Sequence, residues 1–77
     1  MKDLIDYIAK GLVEDPEAVE TTEEWDGHRN VVHLEVADDD MGKVIGRGGR
    51  TARAIRSVMK AAAVREGIRH THVEIVD

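Results

Sequence analysis

Apolar side chains at Leu4, Ile5, Ile8, Leu12 and Val13 recur three to four residues apart, with Asp3, Asp6 and Lys10 between them. That period predicts an amphipathic helix ending around Gly11 to Val13. Asp15-Pro16 then stops it, because proline cannot continue the hydrogen-bond ladder and disfavours helix in the residue before it. From Glu17 to Trp25 the pattern is extended, with Val19, Thr21 and Trp25 on one face, although Glu23 shares that face. Asp26-Gly27 predicts a short hairpin turn in which both positions take positive φ. The return strand, Arg29 to Val36, puts Val32, Leu34 and Val36 on one side and His33 and Glu35 on the other, so one face is expected buried and one solvated.

Asp38-Asp39-Asp40 precedes a short apolar turn, Met41 to Ile45. Carboxylates there suit free backbone N–H groups at a helix start. Three consecutive acids also resemble a metal site, but consecutive side chains diverge, which favours capping. Gly46-Arg47-Gly48-Gly49 breaks the chain, and a longer helix follows from about Arg50 to Glu66, with Ala52, Ile55, Met59 and Ala62 as its buried stripe. Gly67 is a C-terminal stop. An alternating strand, His70 to Val76, closes the chain with Val73 and Ile75 on one face. The order is helix, strand, strand, short helix, glycine break, long helix, strand. This predicts an α+β domain.

Composition narrows the class. Seventy-seven residues make one domain, since compact domains rarely fall below about 50 residues. With 42% hydrophobic and 35% charged residues, the chain is too apolar for a disordered tail. No segment approaches the about 20 apolar residues that span a bilayer. Acids at Asp3 and Asp6 interrupt what a signal peptide needs as an apolar run, so a cytoplasmic protein is expected. The absence of cysteine removes disulfides, thiolate catalysis and the usual zinc sites.

The net charge of −5 hides an asymmetry. Residues 1–40 carry three basic side chains against thirteen acids, whereas residues 41–77 carry eight against three. Lys43, Arg47, Arg50, Arg53, Arg56 and Lys60 follow one another with no acid among them. An acidic first half would repel nucleic acid from every surface except this basic one; it would equally serve solubility.

The segment Val44-Ile45-Gly46-Arg47-Gly48-Gly49-Arg50-Thr51 carries the chemistry. It reads as a helix end, a glycine loop and a new helix start, whose unpaired N–H groups suit a phosphate. Arg47, Arg50 and Arg53 crowd that helix start, where cations oppose the macrodipole at a cost of a few tenths of a kcal/mol each. An anion bound there offsets that cost. A nucleotide P-loop is excluded, because Gly42-Lys43 is followed by Val44 and lacks the metal-binding hydroxyl. A dinucleotide fingerprint fails on spacing and length. A Gly-x-x-Gly clamp between two helices, gripping single-stranded backbone, fits.

In that reading the loop N–H groups, Arg47 and Arg50 hold successive phosphates, and Lys43 and Arg53 complete the nucleic-acid-binding set. Bases lie over an apolar groove of Val44, Ile45, Val36 and Met41. Tyr7 and Trp25 are the only aromatics, so stacking contributes little, and weak binding with loose sequence preference is expected. His28, His33, His70 and His72 complete no metal set. Ser57, the only serine, has no catalytic setting. The competing reading is an interaction module that uses Ala61-Ala62-Ala63 for close helix approach.

These segments resemble a known family. Leu4 to Val13, Asp15-Pro16-Glu17-Ala18-Val19 and Ile45-Gly46-Arg47-Gly48-Gly49-Arg50-Thr51-Ala52 look like the stand-alone bacterial type II KH-domain proteins of the KhpA kind, over nearly the whole chain. The resemblance implies a type II KH fold: a three-stranded mixed sheet with three helices packed on one face. It implies a cytoplasmic, non-enzymatic protein without cofactor, metal or small-molecule substrate, binding single-stranded RNA in post-transcriptional control, with a possible part in cell envelope growth. It further implies a homodimer, or a heterodimer with a larger KH-containing bacterial protein. Gly48 departs from the pattern, standing where a polar or basic side chain is common. That substitution removes one phosphate contact and loosens the loop.

Overall fold

A computed structural model describes residues 1–76. Its elements are α1 (Lys2–Leu12), β1 (Glu20–Trp25), β2 (Asn30–Glu35), α2 (Met41–Ile45), α3 (Arg50–Arg65) and β3 (Thr71–Val76), with single 3₁₀ turns at Pro16–Ala18, Asp38–Asp40 and Arg47–Gly49. The sheet order is β1-β2-β3. β1 and β2 are antiparallel, with Thr21 opposite Leu34 and Trp25 opposite Asn30. β2 and β3 are parallel, with Val32 opposite Val73. This is the α+β, three-stranded mixed sheet with three helices, in the order α-β-β-α-α-β, that the sequence predicts.

The core lies between one sheet face and the helices. Ile5 and Ala9 of α1, Val44 of α2, and Ile55 and Met59 of α3 close on Val32, Leu34, Val36 and Val73. Three details differ from the sequence pattern. Leu12 is exposed while Ala9 is fully buried, one turn after Ile5 on the core-facing side of α1. Ala63, not Ala62, continues the α3 stripe from Met59. Trp25 is 61% exposed, because β1 ends there, beyond the reach of the helices.

The β1–β2 connection is longer than a two-residue turn. Asp26 to Arg29 lie between the paired residues, and only Gly27 takes positive φ. The Asp26 carboxylate accepts the N–H groups of His28 and Arg29 and pairs with the Arg29 guanidinium at 3.1 Å. At the end of α3, Ile68 N–H donates to Ala63 C=O and Gly67 N–H to Val64 C=O, the reciprocal pair that ends a helix at glycine.

Two acids that look misplaced in the pattern act as anchors. Glu23, on the inward face of β1, accepts the Lys2 N–H at 3.0 Å and the Asn30 amide at 2.6 Å. The N-terminal ammonium lies 3.6 Å away. A carboxylate is thereby set against the positive end of α1. Burial pushes its pKa up, but these donors outweigh it and hold Glu23 below 4.5. Asp40 is the second. It caps no N–H of α2; instead its two oxygens accept Glu14 N–H at 3.1 Å and Asp15 N–H at 3.0 Å. Among the described residues the expected capping of the following helix is thus not made, and Asp40 alone of the three aspartates satisfies amides, those of the chain leaving α1.

Candidate nucleic-acid interface

The loop joins α2 to α3 through three glycines with positive φ. Gly46, at φ 77°, ψ 170°, occupies a region open essentially to glycine alone. A Cβ there would also collide with the side chain of Thr51 and lie 2.8 Å from its backbone nitrogen. Conformation and space both require glycine at this position. Gly48 and Gly49 are left-handed and face open space.

The amides of the loop divide into two sets. Gly46 N–H donates to Gly42 C=O, Gly49 N–H to Gly46 C=O, and Arg50 N–H to Arg47 C=O. The sequence reading left the amides opening α3 unpaired, and for Gly49 and Arg50 the tight 3₁₀ turn instead closes them internally. Among the described residues the N–H groups of Arg47 and Gly48, at the tip, have no protein partner. Arg53 Nη2 donates to Gly48 C=O at 2.9 Å and braces the turn from the first helical turn of α3.

Beside the loop runs a groove of about 390 Å³ lined by Met41, Ile45, Gly49, Ala52, Arg53, Arg56 and Ile75. Apolar side chains form its floor and arginines its rim. Among the described residues, Arg47, Arg50, Arg53 and Arg56 have no carboxylate within ion-pair distance. The α2–α3 end of the molecule therefore presents four exposed cations without internal neutralisation.

Of the residues the sequence assigns to this site, the structure gathers Ile45, Gly46, Arg47, Gly48, Gly49, Arg50 and Arg53. It does not bring in three others, Val44, Val36 and Lys43. Val44 is fully buried, because in a five-residue helix adjacent side chains point about 100° apart and one of Val44 and Ile45 must face the core. Val36 is buried for the same reason of packing, so the groove floor is Ile45, Met41 and Ile75. Lys43 turns away to Asp40 at 3.5 Å and Glu14 at 3.9 Å. Arg56 was missed: it lines the groove and its Nε donates to Val73 C=O at 3.4 Å. The signal was present, since Arg56 follows Arg53 at helical spacing.

Among the described residues no group of three or more histidines or carboxylates could hold a metal ion. His33 pairs with Glu24 at 3.1 Å and His72 with Glu74 at 2.8 Å.

Comparison with known proteins matches residues 2–75 to the family model described as KhpA/KhpB, KH domain. Relatives named RNA-binding protein KhpA include one from Halalkalibacterium halodurans, 48% identical over 77 residues and the full length of both chains. One from Clostridium acetobutylicum is 50% identical over 99% of this chain and 100% of its own. One from Streptomyces coelicolor is 39% identical over all of this chain and 92% of its own. No solved structure matches. The order of elements, the glycine loop between two helices and these similarities agree: the chain belongs to the KhpA/KhpB KH-domain family.

Proposed function

We propose that the chain binds single-stranded RNA, without catalysis, by gripping about four nucleotides at the Gly46–Gly49 loop. The observation that carries this reading is the pair of unpartnered amides at Arg47 and Gly48, beside unneutralised arginines and an apolar groove. Phosphates meet the two amides with Arg47 and Arg50, and bases lie over Ile45, Met41 and Ile75. The relatives carrying the name RNA-binding protein support RNA as the polyanion. With no aromatic side chain lining the groove, affinity is weak and sequence preference loose, as suits a post-transcriptional regulator or RNA chaperone acting on many transcripts.

The test is fluorescence anisotropy with a labelled tetranucleotide. Arg47→Asp combined with Gly48→Asp, folded by circular dichroism, is expected to weaken binding at least tenfold. For the wild type, neutralising two to four phosphates gives a log–log salt slope of about −1.4 to −2.8. Full-strength binding by the double variant, or a slope near zero, overturns the clamp.

A second role rests on Ala54, Val58 and Ala61, which are exposed on one side of α3, with Val58 47% accessible. This face serves as a contact for a second KH chain, either a copy of this one or a larger KH-containing protein. Val58→Asp should abolish association in sedimentation and leave tetranucleotide binding intact.

A further inference from the structure

At the opposite end of α3 lies a second pocket, of about 420 Å³, lined by His28, Arg29, Lys60, Ala63, Val64, Arg69, His70, Thr71 and His72. No carboxylate is among those residues, although the chain as a whole carries sixteen acids against eleven bases. Arg29 is partly neutralised by Asp26 and His72 by Glu74. Among the described residues Lys60 and Arg69 have no carboxylate within ion-pair distance. Like the arginines of the loop groove, they are left to an outside anion.

A basic stripe links the pocket to the loop groove. Arg53, Arg56 and Lys60 succeed one another at intervals of three and four, so they form one stripe on α3. Arg53 and Arg56 line the first groove, and Lys60 lines the second pocket. Both sites use the same seam, with Ile75 of β3 at one end and Thr71 and His72 at the other. The four residue steps from Thr71 to Ile75 separate the ends by roughly 13 Å at about 3.3 Å each. On the helix side no acid interrupts this seam from Met41 to Arg65, and on β3 the one carboxylate, Glu74, is engaged by His72.

We infer that the pocket around Lys60 and Arg69 is a second phosphate-binding subsite, which holds the backbone of the same RNA strand beyond the four nucleotides gripped at the glycine loop. This rests on the clamp reading for its ligand. At about 3.4 Å per stacked nucleotide, four or so cover the seam, so an oligomer of about twelve reaches both sites while a tetramer gripped at the loop reaches one. Longer strands gain affinity here from charge alone, without base recognition.

Oligouridines of about four and twelve nucleotides are titrated against wild type, Lys60→Gln with Arg69→Gln, Arg65→Gln, and the loop double variant, all verified as folded. Arg65 is an exposed cation turned away from Lys60 on α3. Wild type is expected to bind the longer strand more tightly. Loss of Lys60 and Arg69 should weaken the longer strand by about three- to tenfold, with a salt slope shallower by about 1.4. It should leave the tetramer unchanged, and Arg65→Gln should leave both unchanged. The subsite is refuted if the longer strand shows no advantage, if removing Lys60 and Arg69 leaves it unaffected, if it weakens both oligomers equally, or if Arg65→Gln matches its effect. Failure of the clamp is a separate result: the loop double variant then binds the tetramer at full strength.

Discussion

Arg53 donates from its guanidinium to the carbonyl oxygen of Gly48 at 2.9 Å, tying α3 to the tip of the glycine loop. The arginine therefore positions the loop. Arg53→Gln loses that brace, and tetranucleotide affinity should fall about three- to tenfold, corresponding to the about 1 kcal/mol of one hydrogen bond. Its salt slope should stay near the wild-type value. Arg47→Gln, at the unbraced tip, should instead make the slope shallower by about 0.7. Equal slope changes in the two variants would show that both arginines meet phosphate directly.

Gly46 and Gly48 should differ sharply under substitution although both have positive φ. Gly46→Ala combines a glycine-only conformation with collision against Thr51, and thermal or urea unfolding should record a loss of about 2–4 kcal/mol. Gly48→Ala meets open space and pays only the left-handed preference, about 1–2 kcal/mol. Gly48→Asn should cost less still, because asparagine tolerates that conformation.

Asp40 makes stability depend on acid. The Glu14 N–H leads the donors, with Asp15 N–H and Lys43, that hold its carboxyl below 3.8 despite desolvation. A carboxylate with a depressed folded pKa stabilises fully above its unfolded value, and that contribution disappears as pH falls through the folded one. Glu23, held below 4.5, acts in the same direction. Urea midpoints should therefore be flat above about pH 5 and drop below about pH 4. Asp40→Ala should be less stable than wild type at pH 7 and show a smaller drop on acidification. An unchanged acid profile would remove the role assigned to the Glu14 and Asp15 amides.

Leu34 is fully buried at the centre of the sheet. Leu34→Ala should cost about 2–5 kcal/mol, a large part of the stability of so small a domain. Circular dichroism should show a partly unfolded population at 37 °C.

The element order was legible because each element carries its own period or stop: Leu4-Ile5-Ile8 for α1, Val32-Leu34 for β2, Gly67 after α3. The loop was legible because glycines and arginines cluster within eight residues. What escaped depends on partners distant in the chain. Lys43 reads as an RNA-binding cation until Glu14 and Asp40 are found beside it. Val44 and Ile45 are equivalent in sequence, and only the docking of α2 decides which enters the core. Glu23 looks like an error on an inward face until the start of α1 arrives to use it.

The parallel pairing of β3 with β2 has a consequence for synthesis. The hairpin and α1 can assemble as soon as they emerge, but the third strand reaches its neighbour only after α2, the loop and α3 have been made. Until then Arg56 lacks its Val73 acceptor, the groove lacks its Ile75 wall and the distal pocket lacks Thr71 and His72. A nascent chain thus exposes its glycine loop before the groove beside it has its second wall. The last strand of the sheet is the step that completes that surface.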